Sequence, residues 1–226
     1  MVGTGLALAV LVFSKTTAYR HEAIPDGVKA LEELGKENGW TVSATEDARV
    51  FADDRLESFD AVVFLMTTGD VLDSDQQAAF ERFMKKGKGF VGVHSASDTE
   101  YDWPFYGSLV GAYYRSHPEI QPATYRVEDR EHPAIRHLPS SWVRTDEHYS
   151  FRKNPRAEVQ VLLSLDEGSY EPGEDAMGDH PIVWCQELEG GGRSFYTALG
   201  HTKESYSDPL FREHLASAIA WAAPRR

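Results

Sequence analysis

The sequence predicts one α/β domain over residues 1–226, built on a doubly wound, mostly parallel sheet with helices on both faces. Apolar runs at residues 6–13, 61–66 and 90–93 are each followed by a polar or glycine-containing turn and then by helical spacing. Continuous apolar runs suit strands covered on both faces. Their alternation with helices favours right-handed crossovers. A length of 226 residues is enough for one sheet of this kind.

The elements follow in order. Residues 5–13 have a signal-like apolar core but no basic start and no small-residue cleavage site. The run is too short for a bilayer, which takes about 20 residues, so it reads as the first buried strand. Val28, Leu31 and Leu34 recur at helical steps, and Gly35 and Gly39 weaken and end that helix. A shorter strand at Trp40, Val42 and Ala44 fits between the first two runs. Phe80, Phe83 and Met84 mark a second helix, with Ser74 and Gln77 spaced as a capping box and Gly87 and Gly89 at its end. Past Trp103 the pattern changes: loops at Pro118, Pro122, Pro133, Pro139 and Pro155 alternate with short strands at 159–165, 182–188 and 193–199. A closing helix spans about 209–221, and residues 167–179 read as a mobile surface loop.

The net charge of −13 would repel phosphate backbones, which argues against nucleic-acid binding. No segment reads as a membrane anchor. A single cysteine excludes an internal disulfide and a thiolate metal cluster. Cys185 lies mid-strand beside Trp184 and reads as a small buried hydrophobe. Oligomeric state, and whether the domain works in the cytoplasm or after export, stay open.

In open α/β sheets ligands bind beyond the carboxyl ends of the strands. The residues there are polar: 14–21 after the first strand, Thr67-Thr68-Gly69-Asp70 after the third, His94-Ser95-Ala96-Ser97-Asp98-Thr99 after the fourth, and Gly200-His201-Thr202-Lys203-Glu204 after a late strand. Gly92-Val93-His94-Ser95-Ala96 has the form of a nucleophile elbow, with a histidine at the tip. A lone His94 would read as a buried, backbone-satisfied histidine. With His21, His117, His180 and His201 also on loops, His94, His201 and at least one of the other three are expected to share a pocket. Imidazoles suit acid–base work near neutrality and also borderline metals. No HExxH spacing is present, so a metal would need ligands from distant loops. Arg144-Thr145-Asp146-Glu147-His148-Tyr149 reads equally as a solvated charge run or as a source of carboxylates, since neighbours on a strand face opposite ways. Tyr101, Trp103, Tyr106, Tyr113 and Tyr149 could stack on sugar rings or fill core.

Arg20-His21, residues 64–72, residues 89–103 with His94-Ser95-Ala96 and Asp98-Thr99, Asp179-His180-Pro181 and Gly200-His201-Thr202 together resemble the trehalose-utilisation, or ThuA-like, family over nearly the whole chain. The resemblance implies a flavodoxin-like sheet of the class I glutamine amidotransferase type and a role in disaccharide catabolism through 3-keto sugars. The elbow cysteine of amidotransferases falls at His94, so no thioester can form and glutamine hydrolysis is not expected.

The leading expectation is an enzyme (isomerase, lyase or hydrolase) acting on trehalose or a 3-keto-disaccharide. His94 and His201 would be acid and base, with Glu147 or Glu204 as the carboxylate beside His201. Substrate contacts are expected from His21, Thr68, Asp98, Tyr101, Trp103, His117 and His180. The rivals are a non-catalytic sugar- or partner-binding domain and a metal-dependent hydrolase with a divalent ion such as zinc.

Overall fold

The computed structural model describes residues 7–224; Gly5 and Leu6 of the expected first strand lie outside them. The first half of the chain alternates as its apolar runs require: β1 (Ala9–Phe13), α1 (Ile24–Asn38), β2 (Thr41–Thr45), α2 (Asp53–Leu56), β3 (Ala61–Leu65), α3 (Ser74–Lys85), β4 (Gly89–Val93) and α4 (Pro104–Val110). The second half supplies β5 (Tyr114–Ser116), β6 (Gln121–Val127), β7 (Ser141–Asp146), β8 (Ser150–Phe151), β9 (Gln160–Leu165), β10 (Pro181–Glu187), β11 (Arg193–Thr197) and the closing α5 (Pro209–Ala222).

Nine strands form one sheet in the order β2-β1-β3-β4-β11-β10-β9-β6-β7, while β5 and β8 pair as a separate ribbon. Strands β2, β1, β3, β4 and β11 are mutually parallel; β10, β9, β6 and β7 extend the sheet antiparallel. The parallel strands β3, β4 and β11 are buried at every position; β3 and β4 are accordingly apolar or small without alternation, while β11 buries Arg193, Ser194 and Thr197 beside Phe195 and Tyr196. β7 instead alternates strictly, with Trp142, Arg144 and Asp146 buried, as expected of a sheet with one open face.

Two local expectations change. The capping box of α3 sits one residue earlier than the Ser74 and Gln77 spacing suggests: Asp73 accepts from Gln76 N at 3.0 Å, and the Gln76 side chain accepts from Asp73 N at 3.0 Å. Gly89 is not a helix terminator. It opens β4 where the backbone of α5 passes, and a Cβ there would meet the Ala222 carbonyl at 2.6 Å. No helix among the described residues is long and apolar enough to cross a membrane.

Candidate metal centre and active site

The parallel strands aim three histidines at one point. His94 follows β4 directly and stands at φ +53°, in the left-handed region that a non-glycine residue enters only when its surroundings enforce it. Those surroundings are explicit. The Tyr196 hydroxyl donates to the His94 carbonyl at 2.8 Å, the Tyr106 hydroxyl to the Ala96 carbonyl at 2.6 Å, and the Thr99 hydroxyl to the Ser95 carbonyl at 3.2 Å. His94 is completely buried, and its Nδ1–H donates to the Ala198 carbonyl at 2.7 Å. That bond selects the tautomer whose Nε2 lone pair points into the site.

His201 arrives from the loop after β11. Asp146, buried at the end of β7, accepts from Gly200 N at 2.9 Å and from His201 N at 3.0 Å, which fixes that loop. His21 comes from the segment between β1 and α1, with Nδ1 3.3 Å from the Ser95 hydroxyl. The imidazoles of His21, His94 and His201 lie edge to face with centroids 4.9 to 5.2 Å apart.

Glu147 closes the group. Its Oε2 is 3.2 Å from His94 Nε2 and 3.0 Å from His201 Nδ1, and those two nitrogens are 3.1 Å apart. Its Oε1 is 3.1 Å from Nε2 of the partly exposed His117. His21, His94, Glu147 and His201 each offer a ligand atom, and the four atoms all lie within 4.8 Å of one another. With His94 Nδ1–H committed to the backbone, one proton on His201 Nδ1 cannot satisfy all three edges of the nitrogen–nitrogen–oxygen triangle. A cation at its centre can. Zinc-type bonds of about 2.0–2.1 Å in a tetrahedron place ligand atoms about 3.3 Å apart, close to the separations present.

His21 and Glu147 rest in the form a cation binds, while His201 would have to give up a proton to join them. Burial, with His94 and His201 adding to it, lowers the His21 pKa to about 3, so this imidazole stays neutral. Burial opposes the Glu147 carboxylate, but its bonds to His201 and His94 prevail and hold the group well below the usual carboxylate range. Burial also opposes a charged His201, and the Glu147 bond outweighs it, raising this imidazole above its ordinary value.

The other sequence candidates stand elsewhere. Thr68 is buried and donates to the Tyr19 carbonyl at 2.7 Å, tying the His21 segment to the sheet edge. Asp98 ends the one-turn 3-10 segment that His94 begins, and its Oδ1 accepts from the Tyr101 hydroxyl at 2.5 Å; the Arg152 guanidinium lies 4.0 Å over the Tyr101 ring. Burial raises the Asp98 carboxyl, outweighing the Tyr101 bond. Trp103 is buried against Phe80 and Tyr106 and donates to Glu81 at 3.1 Å. His180 is buried outside the four-residue group, between the Tyr149 carbonyl and Glu167, each 2.8 Å away. Glu167 also accepts from Gly178 N at 2.9 Å, so the 167–179 loop is tied back onto the body. Cys185 is buried within β10 with its thiol pushed up to about 12 by burial.

The sequence marked Asp146 only as part of a charge run and Tyr149 only as a stacking or core ring, and it gave no sign of the Ala198 carbonyl. Tyr149 packs its ring 4.2 Å from that of His94. The alternation of β7 could have marked Asp146 as inward-facing; no sequence pattern marks a backbone carbonyl.

No protein of curated function matches. A ThuA-like protein from Bacteroides uniformis is 25% identical, with a TM-score of 0.81 over 96% of this chain and 93% of that one. One from Parabacteroides merdae is 18% identical, with a TM-score of 0.77 over 97% and 92%. The CTPS glutaminase domain from Trypanosoma brucei is 8% identical, with a TM-score of 0.54 over 97% and 96%; this likeness shows the fold alone, an amidotransferase-like α/β sheet. The sequence profile of the ThuA family, described as trehalose utilisation, matches residues 9–222, and the chain belongs to that family.

Proposed function

We propose that the protein is an enzyme of disaccharide catabolism, acting on trehalose or its 3-keto derivative, whose centre is a divalent ion such as zinc held by His21, His94, Glu147 and His201. The observation that carries this reading is the triangle of His94 Nε2, His201 Nδ1 and Glu147 Oε2, 3.0 to 3.2 Å on each edge, which too few protons can satisfy. A bound divalent ion would supply Lewis acidity towards a sugar carbonyl or hydroxyl oxygen. His117, on the outer oxygen of Glu147, orients that carboxylate as an outer partner orients a metal ligand. Asp98, with its raised carboxyl, is the group outside the four that exchanges a proton with substrate. Such a site supports isomerisation, elimination or hydrolysis beside a carbonyl.

A second reading uses the same side chains without an ion. The Glu147 and His201 pair, with one carboxyl lowered and one imidazole raised, then acts as acid, and the His94 Nε2 lone pair as base. Both readings are tested by incubating chelator-stripped and zinc-, manganese- or magnesium-loaded protein with trehalose and 3-keto-trehalose and analysing products. Turnover only in a loaded form supports the ion. Equal turnover in the stripped form supports acid–base chemistry alone. Binding without turnover in every form would replace both with the sugar-binding reading.

A further inference from the structure

Beside the four-residue group lies a cleft of about 220 Å³ lined by Tyr19, Glu22, Ala23, His201, Thr202, Lys203 and Glu204. His201 belongs to both, so the cleft adjoins the proposed centre. Its lining combines an unusually exposed aromatic ring with charged and hydroxyl side chains. Tyr19 is 63% exposed, whereas Tyr106, Tyr125, Tyr149 and Tyr196 are all buried.

That exposure does not come with a loose backbone. The Tyr19 carbonyl accepts from Thr68 at 2.7 Å, Thr17 N donates to the Thr68 carbonyl at 2.9 Å, and Gly69 fits so tightly beside the segment that a Cβ there would meet the Thr17 hydroxyl oxygen at 2.3 Å. The Tyr19 ring stands edge to face with His21, 4.8 Å between centroids. A flat apolar surface is thus presented to solvent at a fixed place next to the His21 imidazole.

We propose that this cleft is a subsite for one pyranose ring of the substrate, with Tyr19 as its stacking platform and with Glu204 and Lys203 binding its hydroxyl groups. The inference rests on the sugar-directed reading above. A pyranose has an apolar face of C–H groups and a rim of hydroxyls. An aromatic ring covers the first, and a carboxylate and an ammonium bond the second. Lys203, already 3.1 Å from Glu22, is held where its remaining N–H groups can donate. The cleft is small for two rings, so it selects the sugar unit whose reacting carbon is delivered to His201.

The test measures kcat and KM of metal-loaded wild type, Tyr19→Ala, Tyr19→Phe and Glu204→Gln on trehalose and 3-keto-trehalose, with binding followed by saturation-transfer NMR and metal content measured for each protein. Tyr19→Ala should raise KM about tenfold, the scale of one lost aromatic contact, with metal content retained. Tyr19→Phe, which keeps the ring, should recover most of that loss, and Glu204→Gln should raise KM without disturbing His21. Wild-type turnover with unchanged KM in both Tyr19→Ala and Glu204→Gln overturns the subsite and leaves the sugar-directed reading standing. Should Tyr19→Ala lose metal, Glu204→Gln alone decides. If wild type binds sugar without turnover, weaker binding by these variants upholds the subsite while the enzyme reading falls. Absence of any sugar binding or turnover by wild type overturns both.

Discussion

The parallel and antiparallel parts of the sheet build one site by different routes. In the parallel part, β1, β4 and β11 run into loops at their carboxyl ends, and those loops carry His21, His94 and His201. The strands before His21 and His94 are apolar or small throughout, whereas β11, before His201, is buried with Arg193, Ser194 and Thr197 in it. The antiparallel part supplies the carboxylate. Glu147 is the first residue past β7, where strict alternation stops, so both Asp146 and Glu147 turn inward although they are neighbours. Asp146 grips the His201 loop, Glu147 meets His94 and His201, and Tyr149 packs on His94. One part delivers nitrogen donors by fold topology; the other delivers charge and orientation by contacts between residues distant in sequence.

The largest expected effect comes from the parallel part. His94→Gln preserves shape at the elbow but removes the imidazole, and turnover should fall on the order of 10²-fold or more; equal turnover would take His94 out of the chemistry. Asp146→Asn probes the antiparallel part. Its amide can no longer accept from both Gly200 N and His201 N, so the affinity for zinc, read by competition with a chromophoric chelator, should fall about 10- to 100-fold, as when an outer partner is lost. Unchanged affinity would mean that the loop holds His201 without Asp146.

Acid should weaken the fold. Burial chiefly holds His21 and His214 at about 3 in the folded protein, against about 6.5 unfolded. The unfolded chain therefore binds more protons between those values, and stability, complete above 6.5, is lost as pH falls towards 3. His132, His137 and His148 shift in the same direction, each through burial. The contribution of His201, whose value is raised, is present below 6.5 and lost only as pH rises. That of the depressed Glu147 is present throughout pH 5 to 6.5. Urea unfolding of metal-free protein should show a loss on the order of 2 kcal/mol per strongly lowered histidine between pH 6.5 and 5. Equal midpoints at the two values would contradict these burial effects. The smallest effect is expected at Cys185, where Cys185→Ser should leave turnover unchanged; loss of turnover in a folded variant would give the thiol a role.

The same division explains what the sequence made legible. β1, β3 and β4 were readable because burial on both faces demands uninterrupted runs, and strand-end placement, with the short strand at 193–199, then grouped three histidines. β6 was hidden by Pro122, which a central strand would not tolerate. It is tolerated because β9 pairs with β6 only at Tyr125 to Val127, leaving the Pro122 stretch paired on one side. The partner of His201 stayed open between Glu147 and Glu204. Only the approach of β7 to the 200–201 loop, across 54 and 55 residues of sequence, decides between them. Trp103 and His180 resembled binding residues because aromatic and imidazole side chains serve core packing and ligands alike; here Trp103 packs on Phe80 and Tyr106, and His180 bonds the Tyr149 carbonyl and Glu167.

The central claim is that the two parts of the sheet meet around a divalent ion. X-ray absorption spectroscopy on zinc-loaded protein measures this directly. The account predicts one ion per chain, with three nitrogen ligands from His21, His94 and His201 and at least one oxygen from Glu147, at about 2.0–2.2 Å, and loss of one nitrogen shell member in His94→Gln. Failure of the protein to retain zinc, or an all-oxygen shell unaltered by His94→Gln, would contradict it.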